Sequence, residues 1–131
     1  MGNNSRDVLK KVVVIGGGNG SAITLRALKK FVPKIELSSI VSVSDTGGSS
    51  GRLRREFNTL PAGDILRAVL SLSDYDYEIL KNLFHKARFL GAGKLNNHNL
   101  GNLFLVLSSQ FGSSWPNAIF ALEQAVNAKG K

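Results

Sequence analysis

Glycine-rich segments that leave an apolar strand can bring bare backbone amides against phosphate oxygens, and this chain carries two of them. The first is Gly16-Gly17-Gly18-Asn19-Gly20, followed by Ser21 and a helical pattern. Its glycines permit a sharp turn and close approach to a ligand. The helix behind it offers unpaired N–H groups and the positive end of its dipole, so an anion is expected there. The dinucleotide pattern G-x-G-x-x-G is met loosely, with Ser21 at its third position, and the Walker lysine-serine ending is missing. The second segment, Ser44-Asp45-Thr46-Gly47-Gly48-Ser49-Ser50-Gly51-Arg52, reads as an adaptable polar loop. Ser49 and Ser50 can hydrogen-bond phosphate oxygens, and Arg52 can add charge-assisted bonds to the same group. Asp45 can accept from a sugar hydroxyl or hold a magnesium ion on the phosphates.

Further along, Asp64 follows Pro61-Ala62-Gly63 and is read either as the cap of a helix or as a ligand-binding acid. His98, Asn99 and Asn102 open an otherwise apolar helix, where polar groups must be capped, paired or bound to ligand. Arg67 and His85 are expected at the surface. With two histidines and no cysteine, the chain has little material for a metal triad or a Ser-His-Asp relay.

These residues need elements to position them. Lys11 to Ile15 is a β-branched apolar run bounded by charge and glycine, the pattern of a parallel strand buried on both faces. Ser21 to Val32 follows as a helix with Leu25, Leu28 and Val32 on one face, closed by Pro33, and Leu37 to Val43 reads as a second strand. Together they predict a right-handed βαβ unit whose two glycine segments leave the same ends of adjacent strands, where open α/β sheets bind ligands.

The remainder reads as mainly helical. One helix begins near Asp64, and a second carries Ile79, Leu80, Leu83 and Phe84 on one stripe. A third, His98 to Phe111, places Leu100, Leu103, Phe104, Leu107 and Phe111 on one face and is apolar enough to be buried nearly all round. The last carries Trp115, Ala118, Ile119, Leu122 and Val126. The expected fold is therefore α/β, a Rossmann-like doubly wound parallel sheet that is incomplete within residues 1–131. Two strands do not make such a sheet, so either a longer protein or a second copy of the chain completes it; the expectation is that 1–131 is the N-terminal part of one nucleotide-binding domain.

Seventeen Lys and Arg against nine Asp and Glu give a net charge of +8, which favours an anionic partner. The dense arginine group Arg52, Arg54 and Arg55 sits beside the second glycine segment, and no aromatic residues are interleaved there as a nucleic-acid surface would need. No apolar run approaches membrane-spanning length and the start of the chain has no secretory pattern, so a cytoplasmic location without membrane attachment is expected.

Four segments in order, Val-Val-Val-Ile-Gly-Gly-Gly-Asn-Gly, Ser-Asp-Thr-Gly-Gly-Ser-Ser-Gly-Arg-Leu-Arg, Leu-Pro-Ala-Gly-Asp-Ile and His-Asn-Leu-Gly-Asn-Leu, resemble the gluconeogenesis factor (YvcK-type) family. These proteins are relatives of the CofD 2-phospho-L-lactate transferases. The resemblance implies a UDP-sugar-binding regulator of carbon metabolism, cell-wall synthesis and cell shape. It sets Gly17, Gly18, Asn19, Asp45, Gly47, Gly48, Ser49, Ser50, Arg52, Asp64, His98, Asn99 and Asn102 on ligand-binding positions, with Gly20 completing the first loop. Asn19, Ser44-Asp45-Thr46 and Asn97-His98-Asn99 depart from the usual family residues, as does the spacing of Arg67 after Asp64; these changes bear on sugar or base preference. A transferase moving a phospho-carboxylate from a nucleotide-activated donor, with Asp45 holding magnesium, is the alternative; NAD-dependent redox chemistry rests only on the loose glycine pattern.

Overall fold

A computed structural model describes residues 8–44, 47–111 and 114–131. The chain runs β1 (Lys10–Gly16), α1 (Gly18–Lys29), β2 (Ile35–Val41), α2 (Gly48–Phe57), α3 (Ala62–Leu72) and a short α4 (Tyr77–Leu80). Helix α4 passes directly into a π-helical segment, Lys81–Lys86, before α5 (Leu100–Phe111) and α6 (Trp115–Ala125). The strands pair in parallel, from Lys10 opposite Ile35 to Gly16 opposite Val41. This is the expected βαβ unit followed by helices. Its second strand starts two residues early, because Glu36 can sit on the solvent side facing Lys11 while Ile35 and Leu37 turn inward.

Alternation along the strands decides what each face meets. Val14 and Leu37 join Leu25 of α1 and Ala68 and Leu72 of α3 in one apolar cluster, with Val12, Ile35 and Val41 at its margin. Val13, Ile15 and Ile40 point the other way and are exposed, and Ile15 and Ile40 are register partners. The first strand was expected to be buried on both faces; among the described residues it is covered on one, since α1 and α3 contribute to the same cluster.

The element buried nearly all round is α3, not α5. Nine of its eleven residues are buried, leaving only Asp64 and Arg67 partly open. One side joins the sheet cluster through Ala68 and Leu72, while Ile65, Leu66, Val69 and Leu70 pack with Leu80, Leu105, Ala118, Leu122 and Val126. Helix α5 packs through Gly101, Asn102, Leu105 and Val106, so the predicted stripe of Leu100, Leu103, Phe104, Leu107 and Phe111 is turned partly to solvent. Similarly, Leu80 is buried but Ile79 and Leu83 are exposed, because the wider π-helical turn breaks the 3.6-residue spacing on which that stripe was read. Helix α6 buries Ala118, Leu122 and the following Val126, as its periodicity predicts.

After α6 the chain returns to the sheet. Lys129 N–H donates to the Leu72 carbonyl at 2.8 Å, Lys131 N–H to Leu37 at 3.1 Å, and Ser39 N–H to Lys131 at 2.6 Å. The last two bonds form a parallel-type rung on the edge of β2 away from β1.

Helix α5 approaches α3 closely at Gly101. A Cβ there would collide with both Leu66 methyl groups and lie 2.9 Å from the Phe84 carbonyl, and Leu66 is fully buried. Gly101→Ala is expected to destabilise the fold by about 1–3 kcal/mol through overpacking, read as a lower urea midpoint at unchanged m-value.

Candidate functional site

Both glycine segments end at helix starts that abut the first turn of α3. Gly17 caps α1 in extended conformation with no side-chain cap, and Gly18 has φ +68°, a left-handed value that favours glycine. A Cβ on Gly17 would lie 2.7 Å from Asp64 Oδ2, and one on Gly18 would lie 3.9 Å from Arg67 Nη1. The carboxylate of Asp64 thus stands against Gly17, where a phosphate was expected to approach. Asn19 and Gly20 are exposed on the first turn of α1.

From Gly48 onward, the second segment is not a flexible loop. It is the first turn of α2, whose Leu53 is buried, and Ser49 and Ser50 are buried with it. Ser50 Oγ accepts from the Gly63 N–H at 3.1 Å, satisfying an amide at the start of α3. That is the role expected of Asp64. Asp64 instead occupies the third helical position, after Pro61 as cap, and its Oδ1 lies 3.7 Å from Arg67 Nη1.

Helix α5 supplies the third wall. Asn99 Oδ1 accepts from the Asn102 N–H at 2.7 Å, as an N-cap does, and Asn99 Nδ2 donates to the His85 carbonyl at 3.3 Å. Asn102, only 2% exposed, donates through Nδ2 to Ser49 Oγ and Ser50 Oγ, each at 3.2 Å. His98 Nδ1 is 2.8 Å from Ser49 Oγ. Burial, and then the positive charge of Arg52, hold the His98 pKa below its ordinary value, which keeps the ring neutral within this network.

These elements enclose a cavity of about 190 Å³ where the first turns of α2, α3 and α5 converge. Gly47, Gly48, Ser49, Ser50, Asn99 and Asn102 line it, together with three side chains that sequence reasoning assigned to the surface or passed over: Arg67, His85 and Arg88. Arg67 is partly buried, and its Nε donates to His85 Nε2 at 3.2 Å. His85 is partly buried too, and its pKa falls to about 4, chiefly through desolvation and then through Arg67, Arg88 and Lys81. The position of Arg67 three residues after Asp64, on a helix with no other charge, was the one available signal for this pair.

Not every expected residue joins the cavity. Arg52 donates through Nη2 to the Asn96 carbonyl at 2.7 Å and does not line it. His98 contacts Ser49 and does not line the cavity. Asp45, the magnesium candidate, is outside the described residues. A larger hollow of about 720 Å³ beside α6 lies away from the predicted motifs, and one of about 260 Å³ beside β2 meets them only at Leu60 and Ile65. No helix among the described residues is long and apolar enough to cross a membrane.

Residues 12–131 match the 2-phospho-L-lactate transferase CofD family. The chain belongs to that family. Its relatives include the gluconeogenesis factor of Listeria innocua, 42% identical over 97% of this chain, and that of Bacillus subtilis, 36% identical over 92%. The chain spans 38% and 37% of those two proteins, respectively. Among solved structures, a Bacillus halodurans protein described as a member of the upf0052 family superposes with TM-score 0.84 at 38% identity, over 95% of this chain and 38% of its own. The resemblance read from the four motifs and the α/β fold class both stand on these matches.

Two outcomes test the geometry. Ser50→Ala leaves the buried Gly63 N–H without its acceptor and is expected to cost about 1–3 kcal/mol in urea denaturation. For His85, the folded pKa of about 4 lies below the ordinary 6.5, so the unfolded chain binds more protons between those values. Stability from this residue is complete above pH 6.5 and is lost as pH falls toward 4. Denaturation at pH 7 and pH 5 is expected to show that loss in the wild type and a smaller one in His85→Gln.

Proposed function

We propose that this chain supplies the phosphate-binding part of a nucleotide-sugar site, with a UDP-sugar as ligand. One observation carries the reading: the starts of three helices and two arginines converge on a single polar cavity. Helix starts present N–H groups and partial positive charge, and guanidinium groups add full charge in a fork suited to phosphate oxygens. Arg67 adjoins both this cavity and Gly18, so a diphosphate held there would extend toward the glycine loop of α1. The hydroxyl and amide groups of Ser49, Ser50 and Asn102 provide the directional bonds that a charged cavity needs to orient a ligand.

The name borne by the relatives supports a regulatory role in carbon metabolism. The motif resemblance supports links to cell-wall synthesis and cell shape, while a cytoplasmic location is the reading of the cysteine-free composition. The second reading is a transferase that moves a phospho-carboxylate from a nucleotide-activated donor. The family description favours it, and Asp45 would then hold magnesium.

Calorimetric titration with UDP-N-acetylglucosamine tests the first reading. Saturable heat is expected, weakened about tenfold in Arg88→Ala, a loss typical of one charge-assisted hydrogen bond. Arg88 is exposed, so its removal spares the fold. Absence of heat at millimolar ligand would rule the reading out.

A further inference from the structure

Arg67 is a long side chain at the edge of a buried helix, yet two groups hold it. Asp64 attracts Nη1 from one turn before, and His85 accepts the Nε hydrogen from the π-helical segment. For Nε2 to accept, the imidazole must be neutral with its proton on Nδ1. That Nδ1 is buried and has no hydrogen-bond partner among the described residues. The ring lines the cavity, and the charged groups around it are Arg67 and Asp64 of α3, Lys81 of its own segment, and Arg88 just after it. Three cations and one anion leave this neighbourhood short of negative charge.

We propose that His85 is a positioning residue for Arg67: as a neutral acceptor it holds the guanidinium at the empty cavity, and when a phosphate-class dianion enters, the ring takes a proton from solvent and releases Arg67 to the anion. The proton goes to Nε2, the atom that had accepted from Arg67, so the Arg67–His85 bond breaks as the bond from Arg67 to the anion forms. Charge supports the exchange. A dianion offsets Arg67 and Arg88, whose positive charges together with burial keep the ring neutral beforehand. Anion binding and proton uptake are then linked, and each strengthens the other. The inference rests on reading the cavity as an anion site but not on the nucleotide or the sugar.

Sulfate is the suitable probe, because it stays a dianion across the working pH range while phosphate monoesters titrate within it. The His85 ring is followed by NMR against pH in sodium sulfate and in sodium chloride of equal ionic strength. The midpoint is expected near 4 in chloride and at least one unit higher in sulfate. With a one-unit shift, sulfate should bind about twofold more tightly at pH 5 than at pH 7.5, and the gain should approach about tenfold near pH 3. His85→Leu, which loses the acceptor, should bind sulfate more weakly at pH 7.5. His85→Gln, which can accept but not titrate, should restore that affinity without the pH dependence.

Sulfate-induced shifts at Ser49 and Asn102 with an unmoved His85 midpoint would overturn the proposal and leave the anion site standing. A shifted midpoint with no heat from UDP-N-acetylglucosamine would uphold it while removing the nucleotide-sugar reading. No response to either ligand would end both.

Discussion

Helix α3 is enclosed on nearly every side, and that enclosure orders the rest of the molecule. A helix packed against a sheet and against two other helices has almost nowhere to put a charge. Its two charged residues, Asp64 in the first turn and Arg67 at the middle, both lie toward the corner where α1, α2 and α5 begin or pass. The packing that stabilises the chain therefore also fixes where its polar groups gather. Gly101 belongs to the same constraint, because the absence of a side chain lets α5 come close enough to complete the wall.

Around that corner, hydrogen-bonded polar groups and charged groups divide the work. Ser50 closes the start of α3, Asn99 closes the start of α5, and Asn102 ties both serines of α2 to α5. These bonds are buried and short-range, and they make the cavity walls rigid. Arg67, ion-paired with Asp64, and Arg88 contribute the positive charge.

Local pattern made the first half of the fold readable. A β-branched run bounded by charge and glycine can be little else than a strand, though not the doubly covered one expected, and the helix and strand after it follow from the spacing of Leu25, Leu28 and Leu37. Helix α2 was hidden because glycine and serine are weak helix formers, and tertiary bonds of Ser49 and Ser50 with burial of Leu53 hold it. The faces of α5 and of the segment around Ile79 were misread for different reasons. In α5, leucines outnumber the sites that face the core, and around Ile79 a π-helical turn shifts the phase. For the site, glycine and serine positions were legible from motif alone. Arg67, His85 and Arg88 were not, since their meeting depends on how three helix ends pack, which no local spacing encodes.

The side of the sheet that carries Ile15 and Ile40 has the opposite character from the polar corner. Water in contact with this adjacent aliphatic pair and Val13 is held at a free-energy cost that grows with the area left bare. A segment that covered that strip would remove this cost without touching the polar corner at the helix starts.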